Sequence, residues 1–145
     1  MDFLTSMKLS AMGLNVQRQR METISSNLAN VETTQTPEGG PYRRKDVVVS
    51  ALPMENDFAS VLKSEFGENL MQALVTNVVQ DPTKPRSVYN PNHPDADAKG
   101  YVSMPNINVV SEMVDMMTTT RSFEANITAM NAAKAMALRA IELGR

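Results

Sequence analysis

Prolines divide the chain into three parts, and this division limits the folds that it can adopt. All eight prolines lie between Pro37 and Pro105, so residues 1–36 and 106–145 contain none. A proline inside a helix removes a hydrogen bond and clashes with the preceding turn, so long uninterrupted helices belong in these two flanks. The 145 residues are enough for one ordinary domain, and about half of them lie in the flanks.

The N-terminal flank has the pattern of one long amphipathic helix. From residue 3 to residue 31, apolar side chains recur in alternating steps of four and three, and seven of the nine positions are apolar. The helix is expected to end near Thr33 and Thr34, because both are β-branched and Pro37 follows. The packing residues predicted for this helix are Phe3, Met7, Leu14, Met21, Ile24, Leu28 and Val31.

The C-terminal flank repeats this pattern. Asn108 is a predicted N-cap, and eight of the ten positions in the following stripe are apolar. The packing residues predicted for this helix are Val109, Met113, Met116, Phe123, Ile127, Met130, Ala137 and Ile141. Further apolar positions are predicted to contact other chains: Leu4, Ala11, Val110, Met117 and Leu138. An intramolecular helix pair and helices shared between chains are both compatible with these two stripes.

The middle segment predicts a small β-containing region. The β-branched run at residues 47–49 predicts a strand, and a second strand could use residues 74–79 or residues 87–89. A short helix is predicted over residues 57–66. Five prolines between residues 81 and 105 predict an extended, wrapped arm.

Composition excludes several classes of function. A formal charge of -2 offers no electrostatic footprint for nucleic acid or an anionic membrane. With no cysteine and a single histidine, the chain lacks a disulfide scaffold, a thiolate zinc site, a cysteine nucleophile and paired-histidine chemistry. We therefore expect no cofactor and no enzyme activity. No segment approaches the ~18 apolar residues of a membrane span, and the N-terminus lacks the basic head and apolar run of a cleaved signal.

Two charged segments favour structural roles over chemical ones. Asp95, Asp97 and Gly100 match positions 1, 3 and 6 of a calcium loop. Lys99 then stands where an oxygen ligand belongs and Asn106 where a bidentate carboxylate belongs, which favours a plain acidic turn. The basic run at residues 43–45 is predicted to be a solvated strand face, or a surface that meets the acidic middle of another subunit.

Several segments carry a resemblance to a known family. Residues 25–34 (SSNLANVETT) resemble the signature of the axial proteins of the bacterial flagellum, which form its rod, hook and hook-associated parts. Residues 101–117 (YVSMPNINVVSEMVDMM) are similar to the proximal-rod members of that family, as are PYRRK at residues 41–45 and VYNP at residues 88–91. The motif residues that carry the resemblance are Ser26, Asn27, Leu28, Ala29, Asn30, Pro105, Asn106, Val109, Val110, Glu112 and Met113.

The resemblance implies a fold and a role. It implies a mainly α chain in which residues 1–34 and 106–145 pair as a coiled-coil inner domain that lines the rod, while residues 35–105 form a β-rich outer domain. The implied role is a structural subunit of the proximal rod of the flagellar basal body, a hollow shaft that spans the periplasm, transmits torque and conducts exported subunits. The implied partners are other copies of the chain, other rod proteins, the membrane-embedded ring at the rod base and the type III export apparatus, which needs no cleaved signal.

An alternative function is also compatible with the amphipathic flanks. A helical adaptor or a secreted effector would use one terminal helix to bind the groove of a partner. This alternative predicts a discrete stoichiometric complex, whereas the rod predicts a helical array.

Overall fold

The computed structural model describes residues 3–53 and 71–143, and two long helices flank the strands of this part of the chain. Helix α1 spans Phe3–Ala29 and helix α2 spans Val109–Leu143. The strands are β1 at Lys45–Pro53, β2 at Met71–Gln80, β3 at Arg86–Tyr89 and β4 at Tyr101–Met104. The fold is therefore mainly helical with small sheets, as the proline distribution predicts. The helix predicted at residues 57–66 lies outside the described residues.

Helix α1 ends a few residues earlier than its sequence pattern predicts. The backbone N–H and the side-chain Nδ2 of Asn30 both donate to the carbonyl of Ser26, at 3.2 Å and 2.9 Å. Thr33 then donates to Asn30 through its own backbone N–H and its hydroxyl group, at 3.1 Å each. The bonds of Thr33 to Asn30 span three residues instead of the four of an α-helix, so the chain turns after Ala29 and the helix ends before the two threonines.

Helix α2 begins at the predicted cap. The Oδ1 atom of Asn108 accepts the backbone N–H groups of Val110 at 3.1 Å and Ser111 at 3.4 Å. Two of the N–H groups that have no partner inside the helix are thereby satisfied, which confirms Asn108 as the N-cap.

The inward line of α2 differs from the predicted stripe. The predicted residues Val109, Met113 and Ile141 are 39%, 49% and 67% exposed in the single chain. A second line of residues, which differs from the predicted stripe by one residue at every second position, is buried or half-buried throughout. We call it the inward line, and its members are Glu112, Met116, Thr119, Phe123, Asn126, Met130, Ala133 and Ala137. The two lines share Met116, Phe123, Met130 and Ala137, so the apolar pattern identifies half of the inward face. The other half carries polar or small side chains, which a search for apolar residues passes over.

The predicted stripe of α1 lies closer to what the structure shows. Its members from Met7 to Val31 are all buried or half-buried, while the side chain of Phe3 lies outside the described part. Two residues next to the stripe are more buried than most of its members: Val16 is 6% exposed and Asn27 is 1% exposed. The most buried position near the C-terminal end of α1 is therefore an amide, and the neighbouring Leu28 is only half-buried.

The chain divides into two compact units, each of which combines parts of both helices with part of the middle segment. The first unit draws on residues 1–19, 48–77 and 120–145. Within it, a Cβ atom added to Gly13 would lie 3.1 Å from Nδ2 of Asn126, so α1 and α2 approach closely there. The second unit draws on residues 20–47 and 78–119.

Strands β1 and β2 form one two-stranded sheet. In the first unit, the hydroxyl of Thr76 donates to the carbonyl of Val48 at 3.2 Å, and it lies 3.2 Å from the hydroxyl of Ser50. In the second unit, the N–H of Asp81 donates to the carbonyl of Arg44 at 2.8 Å. Residue numbers rise on one strand as they fall on the other, so the two strands run antiparallel. Both segments that the sequence offered for a second strand are strands: residues 74–79 lie in β2 and residues 87–89 lie in β3.

Residues 81–105 contain a hairpin, which the prediction of an extended arm did not include. Strands β3 and β4 pair antiparallel, with Val88 opposite Val102 and Tyr89 opposite Tyr101. Val102 is 1% exposed, and the rings of Tyr89 and Tyr101 meet edge to face with their centroids 5.3 Å apart. The five prolines fall outside both strands, so they do not remove a hydrogen bond from the ladder.

The turn of the hairpin depends on Gly100. Its φ is +79°, in the left-handed region, and its N–H donates to the carbonyl of Asp97 at 2.9 Å. A Cβ atom on Gly100 would lie 2.9 Å from Cε2 of Tyr89 and 3.2 Å from Cβ of Pro91. Both the conformation and the space at this position therefore require glycine.

Substituting Gly100→Ala tests this assignment. We expect a loss of about 1–3 kcal/mol in hairpin stability, because the left-handed strain adds to an overlap with the Tyr89 ring. Amide exchange at Val88 and Val102 measures this loss. Gly39→Ala is the matched control: Gly39 has a φ of +90° and no heavy atom within 4 Å of an added Cβ. Equal effects of the two substitutions would contradict the proposed steric role.

Candidate assembly surface

The side-chain amide of Asn27 makes two hydrogen bonds to the backbone of Lys45, the first residue of β1, in the way that the peptide group of a neighbouring strand would. Its Nδ2 donates to the carbonyl of Lys45 at 2.8 Å, and its Oδ1 accepts the N–H of Lys45 at 2.9 Å. Oδ1 also accepts the hydroxyl of Tyr42 at 3.1 Å, and Nδ2 also donates to Oε2 of Glu112 at 3.1 Å. Both amide hydrogens and both oxygen lone pairs of this buried side chain are therefore used.

Glu112 extends this arrangement to the beginning of α2. Its second carboxylate oxygen, Oε1, accepts Nε–H of Arg44 at 2.7 Å, and only 2% of its side-chain surface is exposed. The hydrogen bond from Arg44 to Glu112 is the largest cause that raises the pKa of the Arg44 guanidinium above its usual value. A carboxylate in the first turn of a helix is further favoured by the helix dipole. Arg44 also lies 3.5 Å from Asp46, an exposed contact that contributes little.

We call Asn27, Tyr42, Arg44, Lys45 and Glu112 the Asn27 cluster. All five belong to the second unit, and they join the end of α1, the approach to β1 and the start of α2. The largest side chains that are less than 2% exposed include Asn27 and Glu112. Among the described residues, no buried side-chain nitrogen or oxygen lacks a hydrogen-bond partner. The interior of the cluster is polar, and each of its polar groups has a partner. Such a network favours one arrangement of its side chains over others.

The basic run at residues 43–45 does not form a single solvated face. Arg44 points to Glu112 and is partly buried, and the ammonium group of Lys45 lies 5.6 Å from the centre of the Tyr42 ring. Only Arg43 is exposed. Sequence reasoning missed Tyr42, Arg44 and Lys45 as members of a cluster, and it named Asn27 and Glu112 only as family-motif residues. Glu112 lies within the apolar run at the start of α2, and this acidic residue among apolar neighbours was the sequence signal for a buried polar contact.

The carboxylates of the acidic turn accept hydrogen bonds from within the turn and from Thr34, which is 61 residues earlier in the chain. Oδ1 of Asp97 accepts the N–H groups of Lys99 at 2.8 Å and Tyr101 at 2.9 Å, and Oδ2 of Asp95 accepts the hydroxyl of Thr34 at 2.7 Å. Within the described ranges, no three His, Cys, Asp or Glu side chains converge as a metal site. The turn therefore organises the chain between β3 and β4.

A continuous apolar strip lies on the other side of α2. The outer strip, as we name it, consists of Val110, Met113, Val114 and Met117, which are 71%, 49%, 52% and 55% exposed. At about 100° per residue, its centre lies about 150° around the helix from the line that contains Glu112. Met136 and Leu138 are also exposed, at 66% and 53%. Apolar side chains in a contiguous row at a surface indicate contact with another molecule.

The structure brings some of the other predicted residues together and leaves others apart. The motif residues Ser26, Asn27, Leu28 and Asn30 lie at the end of α1, and only Asn27 among them is fully buried, with Ala29 exposed. Pro105 is fully buried and Asn106 is exposed between β4 and α2. Ile127, Met130 and Ala137 are half-buried on α2. The assignment of the whole set to helix packing and subunit contact stays a prediction.

Comparison with known proteins places the chain in a class. A family profile described as "Flagella basal body rod protein" matches residues 7–35, which include most of α1. A second profile, described as "Flagellar basal body rod FlgEFG protein C-terminal", matches residues 98–143, which include β4 and α2. The two profiles, which match most of α1 and all of α2, thus indicate the class of flagellar basal-body rod proteins.

Full-length relatives define the particular family. The chain is 43% identical to the flagellar basal-body rod protein FlgC of Bacillus subtilis, with 97% of each chain covered. It is 37% identical to the FlgC proteins of Borreliella burgdorferi, with 94% of this chain and 93% of the relative covered, and of Escherichia coli O157:H7, with all of both chains covered. The chain belongs to the FlgC family of flagellar basal-body rod proteins. Within the described residues, neither helix contains a stretch that is long and apolar enough to cross a membrane.

Substituting Asn27→Ala tests the importance of the Asn27 cluster. Both backbone groups of Lys45 and one oxygen of Glu112 would lose a partner, while the Tyr42 hydroxyl would keep only Ser26. Each buried group left without a partner costs about 1–3 kcal/mol. We expect the amount of chain in isolated basal bodies to fall at least tenfold. Asn15→Ala is the matched control, because Asn15 is an exposed asparagine on the same helix. A normal yield of the Asn27 variant would contradict the role of the cluster.

Proposed function

We propose that the chain is a structural subunit of the rod of the flagellar basal body and assembles through the exposed apolar faces of its helices. Membership of the FlgC family supports the rod assignment. The outer strip of α2 is the single observation that carries the mode of assembly, because it leaves four large apolar side chains uncovered on a helix whose opposite side is occupied by the Asn27 cluster.

Within each subunit, we propose that α1 and α2 pair as an antiparallel coiled coil, which forms the inner domain from residues 1–34 and 106–145. Two contacts support the pairing: Gly13 with Asn126 in one unit, and Asn27 with Glu112 in the other. From the first contact to the second, α1 advances by fourteen residues and α2 goes back by fourteen. Fourteen residues are two heptads, the repeat that keeps one face of each helix toward its partner.

The remaining features of the role follow from this assembly. Residues 35–105 form the outer domain, and neighbouring copies and other rod proteins cover the outer strip and the exposed residues Val109, Met113 and Ile141. Many such contacts act in parallel and transmit torque along a hollow shaft that conducts exported subunits. The ring at the rod base and the type III export apparatus are the other proposed partners, and the rod spans the periplasm.

Amide hydrogen exchange tests whether the helices become ordered by assembly. Large apolar side chains on α2 have no cover in the single chain, so we expect fast exchange over residues 1–31 and 109–145 in the free chain and slow exchange in basal bodies. Equally strong protection of these residues in a monodisperse free chain would contradict ordering on assembly. A discrete stoichiometric complex with one partner would favour the helical adaptor instead.

The double substitution Val110→Asp and Met117→Asp tests the outer strip directly. Two carboxylates would have to be buried against apolar neighbours, so we expect at least a tenfold loss of chain from basal bodies and a loss of motility. The amount of chain in the cell should not change, since both positions are exposed in the single chain. Ser111→Asp is the control, because it adds a carboxylate to an exposed neighbouring position away from the strip. Normal motility of the double variant would contradict the proposal.

A further inference from the structure

The heptad pattern of the two helices leaves their register open. A stripe that repeats every seven residues meets its partner again after a shift of one heptad, so apolar contacts alone do not select one alignment. On the inward line of α2, Thr119 follows Glu112 by seven residues and Asn126 follows Thr119 by seven. A shift of one heptad would therefore bring Thr119 to the place of Glu112, while apolar Phe123 and Met130 would take the places of apolar Met116 and Phe123.

The Asn27 cluster distinguishes the native register from the shifted ones. Asn27 already uses both hydrogens and both lone pairs, and Glu112 uses one oxygen for Asn27 and the other for Arg44. After a shift, Asn27 would keep its bonds to Lys45 but lose its carboxylate acceptor. The buried charge of Glu112 would lose its donors, which is far more unfavourable than a changed apolar contact.

The cluster also ties this choice to the middle segment. The side-chain amide of Asn27 binds the backbone of Lys45, the first residue of β1. Arg44 is the residue that precedes Lys45 in the chain. Since Asn27 and Arg44 bind the same carboxylate, α2 can reach its place only when the approach to β1 is also in place.

We propose that Asn27, Arg44 and Glu112 set the register of α1 against α2. The same three residues couple this register to the position of the chain where it enters β1. This inference rests on the helix pairing proposed above. The role is one of specificity: as with a single buried asparagine in a coiled coil, polar partners exclude alternative alignments that apolar residues would accept. Replacing the buried ion pair by apolar side chains is therefore expected to preserve the helix pair and to release its register.

Cysteine pairs can report the register, because the natural chain contains no cysteine. Gly13→Cys with Asn126→Cys reports the native register, and it also removes the amide that crowds Gly13. Gly13→Cys with Ala133→Cys, or with Thr119→Cys, reports a shift of one heptad in either direction. In the native register these two pairs are about 10 Å apart along the helix axis, too far for a disulfide. The cross-links are measured after oxidation, in isolated basal bodies and in the total cellular chain.

The test compares three backgrounds. In the otherwise natural chain, we expect the native cross-link to dominate. With Arg44→Met and Glu112→Met, we expect the ratio of native to shifted cross-links to fall at least tenfold. The control is Arg121→Met with Glu124→Met, which removes the same charges from exposed positions of α2 and should change the ratio by less than twofold.

Each outcome decides between the two proposals. An unchanged ratio in the Arg44 and Glu112 variant overturns the register role. Loss of every cross-link in that variant also overturns it, because the cluster would then supply stability and not register. If the otherwise natural chain forms the native cross-link in cells but is absent from basal bodies, the proposed function fails while the register test still stands. If that chain lacks the native cross-link, the helix pairing itself is wrong.

Discussion

The hydrogen bonds of one buried amide, Asn27, determine how the second unit is arranged. Its four bonding positions are shared by Tyr42, the backbone of Lys45 and the carboxylate of Glu112. These partners come from segments that are far apart in the chain, so one side chain brings the end of α1, the approach to β1 and the start of α2 to one place. A polar group at this depth is tolerated only because every bond is made.

The cluster places polar groups inside the chain, while large apolar side chains remain outside. Val110 and Met117 are 71% and 55% exposed, whereas Glu112 between them is 1% exposed. In the proposed assembly, neighbouring subunits remove this apolar area from water. The pairing of Glu112 with Asn27 and Arg44 keeps this carboxylate on the side of α2 away from the outer strip.

Much of the secondary structure could be predicted from the sequence, and the reasons are local. The absence of proline from both flanks and the Asn108 cap predict the two helices, and the run at residues 47–49 predicts β1. Residues 87–89 were a candidate strand, but β4 and the hairpin were missed because both strands are four residues long and prolines lie between and beside them. Arg44 was assigned to a solvated face because its partner, Glu112, is 68 residues away and no local pattern links them.

The sequence by itself determined which parts of the chain are helical, and the motifs that identify its family. Only the tertiary structure decided which face of α2 is turned inward. Two lines on that helix share Met116 and Phe123, and apolar content favours the one through Val109 and Met113. The structure selects the one through Glu112 and Thr119, because a buried carboxylate with two donors is held in place by bonds that hydrophobicity does not measure.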